Sequence, residues 1–259
     1  MVQATSANFI ASCLLLSIYF CVNIIALNDE NLEIVDTSGE CTKGSSIVPQ
    51  LLRGHNKRKL PPNPESPSGG VEVTVELWVQ EISRIIESSS EFELDLYITE
   101  QWWDPSLAYT KYKPCRSNLS LDAETVLKRI WTPNSCFVNS KNASIHRSPY
   151  RNIFLMIYEN GTVWINYRIK IIGPCEKDLK TFPIDRQRCS LTYESYNHNN
   201  EEVIMRWVRP IPVTILTQVR LPDYELINYT TMHIIRVCLD AYEYFLIHDK
   251  ICDIMSRPA

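Results

Sequence analysis

Cys175-Glu-Lys-Asp-Leu-Lys-Thr-Phe-Pro-Ile-Asp-Arg-Gln-Arg-Cys189 places two cysteines thirteen residues apart around Phe182-Pro183-Ile184-Asp185. A disulfide closing a loop of this size would stabilise a fold by about 3 kcal/mol in the chain-entropy account. A Phe-Pro pair inside the closed ring restricts the backbone further and allows a cis peptide there. Any extracellular sandwich with a staple could carry such a pair. The immunoglobulin type is a poor fit, because its bridge joins strands far apart in sequence and packs against a tryptophan.

The flanking sequence is patterned for strands. Upstream, Ile153–Tyr158 and Val163–Ile172 are two β-rich runs joined by Glu159-Asn160-Gly161-Thr162, a strong hairpin signal. Val71, Val73, Val75, Leu77 and Val79 alternate with Glu72, Thr74, Glu76 and Trp78. Phe92, Leu94, Leu96 and Ile98 alternate with Glu93, Asp95, Tyr97, Thr99 and Gln101. Period two with one apolar face is the mark of a strand lying on a core. Downstream, Arg188–Tyr193 and Glu202–Val208 add further strands. The expected fold is all-β, an antiparallel β-sandwich over residues 71–230 with a short N-terminal helix near Ser46–Arg53. That helix belongs to an arm and linker, 28–70, ending in Pro61-Pro-Asn-Pro-Glu-Ser-Pro-Ser-Gly-Gly70.

Composition narrows the function. The 259 residues carry 26 Lys and Arg against 30 Asp and Glu, a net charge of −4, with basic residues clustered only at Arg53–Lys59. No nucleic-acid partner is expected from that distribution. Seven glycines without a phosphate-cradling loop argue against nucleotide chemistry, and five scattered histidines with no HExxH or GxSxG pattern argue against an enzyme. No metal site and no cofactor are expected. Phe9–Leu27 is an uncharged apolar run, read as the core of a secretory signal at 1–27 and also long enough to anchor in a bilayer. Sequons at Asn118, Asn142, Asn160 and Asn228 agree with a lumenal route and are the expected glycosylation sites. Of nine cysteines, Cys13 and Cys21 fall in the leader; the remaining seven, an odd number, leave at least one thiol free or paired between chains.

The Cys175 to Cys189 segment resembles the signature of the Cys-loop pentameric neurotransmitter-gated ion channels. Other stretches match that family in the same order: Leu51-Leu-Arg-Gly-His-Asn-Lys-Arg58, Trp102-Trp-Asp-Pro-Ser-Leu-Ala-Tyr109, Ile130-Trp-Thr-Pro-Asn-Ser-Cys-Phe-Val-Asn139, Asn160-Gly-Thr162 and Leu221-Pro-Asp223. The resemblance spans about 47–229 and is closest to the anion-channel branch, particularly invertebrate subunits. It implies a Cys175–Cys189 disulfide, a gating loop bearing Phe182, Pro183 and Asp185, and transmitter binding between adjacent subunits. On the principal face it points to Tyr196, flanked by Glu194 and Ser195. Asn134 stands where the family usually has Asp, and Cys136 where it usually has an aromatic residue. On the complementary face it points to Tyr97 and Thr99, with Met156, Trp164 and Asn166 across the hairpin. Thr99 occupies the position at which subunits for amino-acid transmitters commonly carry Arg, the residue suited to gripping a carboxylate. A cationic amine such as acetylcholine is therefore favoured over GABA, glycine or glutamate.

From about Tyr229 the sequence departs from the family pattern, and 231–259 is expected to be a divergent tail without membrane-spanning helices, which would leave a sheet edge unpaired. The resemblance implies other channel subunits as partners in a homo- or hetero-pentamer, and a membrane contact through a pore domain lying outside this sequence. It implies the extracellular side of the plasma membrane at synapses, or secretion should the chain end at Ala259. The alternative reading is a secreted transmitter-binding protein of the same fold.

Overall fold

β1 (Val71–Ile86) and β2 (Glu91–Trp103) form the antiparallel pair from which the rest of the architecture extends. The computed structural model describes residues 41–62, 70–180, 185–216, 219, 221, 223–237 and 243–255. The expected leader, the arm up to residue 40, linker residues 63–69, and Phe182 and Pro183 with the cis peptide expected between them lie outside these. Helix α1 (Gly44–Gly54) forms where Ile47, Leu51 and Leu52 recur at helical spacing, and those three side chains are buried. It is a little longer than the expected Ser46–Arg53.

β2 pairs next with β7 (Thr162–Asp178), and β7 folds back on β6 (Ile153–Tyr158) through the Asn160-Gly161 turn. Gly161 has φ +91°, a conformation open to glycine at little cost. β3 (Asn118–Leu121) extends this sheet beyond β6, and β5 (Asn142–Ile145) pairs with the later part of β7. Between β3 and β5 lie the short helix α2 (Ala123–Val126) and β4 (Ser135–Phe137). The second sheet holds β8 (Arg186–Ser195), which pairs with β4, with the end of β7 and with β12 (Glu243–Met255); β12 pairs in turn with β11 (Glu225–Val237).

β7 belongs to both sheets. Its residues 162–174 pair with β2, and Cys175–Asp178 pair with β8. The crossing is possible because residue 173 is glycine: a Cβ there would lie 2.6 Å from the Phe92 ring and 2.7 Å from Leu191. Between the layers lie Val73, Val75, Leu77, Leu94, Leu96, Ile98, Ile165, Ile171 and Leu191, all buried. The alternation read on β1 and β2 thus faces this core.

Two features depart from expectation. β9 (Val203–Trp207) and β10 (Val213–Ile215) run parallel to β1, so the sandwich is not wholly antiparallel. The chain reaches them after β8 of the opposite sheet by crossing between layers, and such a connection, unlike a hairpin, permits parallel arrival. The boundary expected at 230 falls inside β11, and β12 lies along β8 with Cys252 opposite Cys189 in register. The β8 edge expected to be open is therefore paired. No helix among the described residues is long and apolar enough to cross a membrane.

Among the described residues two disulfides form, Cys175–Cys189 between facing positions of β7 and β8, and Cys41–Cys115, which ties the chain ahead of α1 to the loop before β3. The pairing of Cys41 had no signal in the sequence. Its partners are 74 residues apart, against 14 for the other pair. Replacing Cys41 and Cys115 together by Ala is expected to lower the unfolding free energy by about 4 kcal/mol, against about 3 kcal/mol for Cys175 and Cys189, on the chain-entropy account. Urea titration of both double variants checks the order, and a larger loss for the second pair would contradict it.

Candidate ligand-binding site

Three of the sequence stretches singled out above meet at His55, the residue that follows α1. Its Nε2 accepts the Trp131 backbone N–H at 3.1 Å, and its Nδ1 lies 2.8 Å from Ser106 Oγ and 3.7 Å from Asp104 Oδ2. Asp104 in turn accepts the Ser106 N–H at 2.9 Å. Burial holds the His55 ring below its ordinary pKa, with Asp104 partly opposing. The neutral tautomer fits an Nε2 acceptor. Trp131 stacks edge-on against Trp102 at 5.8 Å, so the segment leading into β4 is fixed from both sides.

That segment positions the principal face. Ser135, Cys136 and Phe137 pair in register with Ser195, Glu194 and Tyr193. Side chains on facing positions share a side of the sheet, so Cys136 and Glu194 lie together while Phe137 and Tyr193 lie on the other side, their rings 4.7 Å apart. Ser195 is buried, and its hydroxyl donates to the Pro133 carbonyl at 2.5 Å. It braces the strand end and is not presented to a ligand. Tyr196 is different: its backbone N–H donates to the Asn134 carbonyl at 3.1 Å, which fixes the main chain, while its side chain is 68 % exposed. Cys136 is a free thiol whose pKa is pushed up by burial and by the neighbouring Glu194.

The complementary set is brought together by two registers. β2 and β7 place Tyr97 opposite Arg168, Thr99 opposite Asn166 and Gln101 opposite Trp164; β6 and β7 place Met156 opposite Trp164 and Phe154 opposite Asn166. All eight side chains therefore share one face. The Phe154 ring stands edge-on to Trp164 at 5.5 Å. Thr99 is buried, and its hydroxyl accepts the Asn166 Nδ2 hydrogen at 2.9 Å, so these two satisfy each other. The outward Thr99 expected from the alternation is covered by its neighbours on β7.

Arg168, Asp95 and His146 escaped the sequence reading. Arg168 lies 5.7 Å over the Tyr97 ring and donates to Asp95 through Nε at 3.2 Å and Nη2 at 2.9 Å. His146 Nε2 is 3.1 Å from the same carboxylate. The pattern continues along the face, where Glu93 meets Lys170 at 2.5 Å and Arg84 at 2.9 Å, and Glu91 meets Lys141 at 2.6 Å. Position alone could have found Arg168, since Trp164, Asn166 and Arg168 are successive outward residues of one strand. An arginine does face this site, contrary to the expectation drawn from Thr99, but it is clamped to a carboxylate.

Of the residues expected in a gating loop, Phe182, Pro183 and Asp185, only Asp185 is described; it is buried and its carboxylate accepts from Gln187 Nε2 at 2.6 Å. Asn118, Asn142, Asn160 and Asn228 are all exposed. The sequence model of the neurotransmitter-gated ion-channel ligand binding domain matches residues 44–251. The chain belongs to that family. It is 44 % identical over 207 residues to the Caenorhabditis elegans acetylcholine-gated chloride channel subunit acc-1, covering 80 % of this chain and 43 % of that protein. Identity is 48 % over 194 residues to the subunit acc-2 of the same organism, covering 74 % and 42 %, and 40 % over 176 residues to its serotonin-gated chloride channel mod-1, covering 68 % and 35 %. The chain thus spans about two fifths of the curated relatives it matches. As a member of this family it is the ligand-binding domain of a neurotransmitter-gated channel subunit. The match runs to residue 251, beyond the limit near 229 expected from the motifs.

A charge inside the domain gives a pH prediction. Glu100 is 2 % exposed and burial raises its pKa. Its folded value exceeds its unfolded value, so its contribution to stability is complete below about pH 4.5 and is lost as pH rises through the folded value. Glu100→Gln should match the unmodified protein in thermal midpoint at pH 4 and exceed it at pH 8. Melting curves across that range test this, and a variant less stable at pH 8 would contradict it.

Proposed function

We propose that this domain recognises a cationic amine at the contact between adjacent subunits and gates an anion-selective pore formed by other parts of the same protein. The observation that carries this reading is the Asp95 clamp on Arg168. A guanidinium held by two hydrogen bonds to its own carboxylate is poorly placed to grip the carboxylate of an amino-acid transmitter. Thr99, where such subunits commonly carry Arg, is tied to Asn166. The principal face offers the reverse chemistry, an exposed Tyr196 ring beside Glu194. An ammonium over a tyrosine gains about 0.5 to 2 kcal/mol, and a nearby carboxylate adds to the attraction. Acetylcholine is the favoured ligand, in keeping with relatives named for acetylcholine and serotonin, both of them cationic amines.

In this scheme one subunit supplies Tyr196, Glu194 and the Ser195 brace, and its neighbour in a homo- or hetero-pentamer supplies Tyr97, Met156 and Trp164, with Thr99 and Asn166 fixing the floor between them. Ligand closure would pull on β8, and the Cys175–Cys189 link would pass that displacement to the loop bearing Phe182, Pro183 and Asp185, which meets the membrane domain. The domain would stand on the extracellular side of the plasma membrane, glycosylated at Asn118, Asn142, Asn160 and Asn228.

Radiolabelled acetylcholine binding to the assembled oligomer tests the assignment. Tyr196→Ala should weaken binding by about 2- to 30-fold, the range equivalent to the cation–π gain, and GABA should not displace the label. Unchanged affinity in Tyr196→Ala, or displacement by GABA, would contradict it.

A further inference from the structure

β2 presents Phe92, Leu94, Leu96, Ile98 and Trp102 to the core, and Glu100 lies on the same side in the same period. A carboxyl at an apolar position needs an explanation, because burying it ionised and alone is costly. Beside it is a cavity of about 410 Å³, within the range of small-molecule sites, whose wall includes Tyr193, Tyr167, Phe137, Ile145 and Ile169. Exposed Asn134 and Ala143 also belong to its lining, so the cavity communicates with solvent. Tyr193 donates its hydroxyl to Glu100 Oε1 at 2.9 Å and aims the carboxyl from one side.

We propose that this cavity is a second ligand site, contained within one subunit, for a small arylalkylamine whose ammonium pairs with Glu100 and whose ring packs on Phe137, Tyr167, Ile145 and Ile169. A purely apolar guest would leave the acid without a counter-charge, and an anion would be repelled by it. An amine supplies that charge, and any proton carried by Glu100 leaves to solvent as the ion pair forms; burial raises the carboxyl's pKa, so a counter-charge relieves the cost of ionising it. Burial likewise raises the pKa values of Tyr167 and Tyr193, with Glu100 adding to both, so both phenols stay neutral and able to donate. Cys136 lines the cavity; Glu194, opposite it in register on β8, is not among the lining residues. Tyr97, Trp164 and Tyr196 are not among the lining residues. The site is therefore separate from the intersubunit one and does not rest on that reading.

Calorimetric titration of the full chain with phenethylammonium, and with 2-phenylethanol as its neutral counterpart, tests the proposal. The unmodified protein should bind the amine. Glu100→Gln, shown by near-ultraviolet circular dichroism to keep its packing, should bind it at least tenfold more weakly while its affinity for the alcohol is unchanged. Bound amine should also slow alkylation of Cys136, read by peptide mapping. Absence of amine binding, equal binding by Glu100→Gln, or an unaltered Cys136 rate would each overturn the proposal. Failure of the intersubunit reading would appear instead in Tyr196→Ala, which this experiment leaves untouched.

Discussion

The sulfur link between Cys175 and Cys189 secures β7 to β8 just past Gly173, the residue at which β7 leaves one sheet for the other. Everything that presents the binding surfaces hangs on that junction. The first half of β7 carries Trp164, Asn166 and Arg168, and β8 carries Glu194 and Ser195 at its far end. One strand crossing between layers therefore sets the relation, within a single chain, between the two residue sets proposed for ligand contact.

The chemistry of the two faces follows from the alternation of β2. Its outward positions hold Glu91, Glu93, Asp95, Tyr97, Thr99 and Gln101, and the three acids are each met by bases from β1, β7 or the residues immediately before and after β5. This neutralised ladder ends at Asp95 and Arg168, and the aromatic surface starts at Tyr97. Its inward positions are apolar except for Glu100. A single strand thus separates an ion-paired exterior from one buried acid that faces a cavity and is hydrogen-bonded by Tyr193.

Much of the fold was legible because period-two patterning survives wherever one face of a strand meets a core. The β6 run, the Asn-Gly turn and the short helix were found close to their observed bounds, and β1, β2 and β7 at their starts, although β1 and β7 run on to Ile86 and Asp178, past the expected Val79 and Ile172. The parallel placement of β9 and β10 was not legible, since strand direction depends on how the chain crosses between layers and leaves no mark in five- or three-residue runs. The pairing of residues 231–237 and 243–255 was missed because their sequence departs from the family motifs, while backbone pairing asks only for extended chain. At the site, the family resemblance pointed to Met156, Trp164, Asn166, Thr99 and Tyr97, and the strand registers put them on one face. The state of Thr99 was not legible, because its partner Asn166 comes from a strand more than sixty residues away. Arg168 and Glu100 were both visible in principal periodicities that had been followed one step too short.

The most direct test of the account is to join this domain to the pore of the acetylcholine-gated chloride channel subunit that it resembles and to record current from cells expressing the chimera. Chloride current evoked by acetylcholine, with no response to GABA or glutamate, is the predicted result. Current evoked by GABA or glutamate and not by acetylcholine would show that the Arg168 and Asp95 pair opens to receive a carboxylate, and would contradict the assignment of the site to an amine.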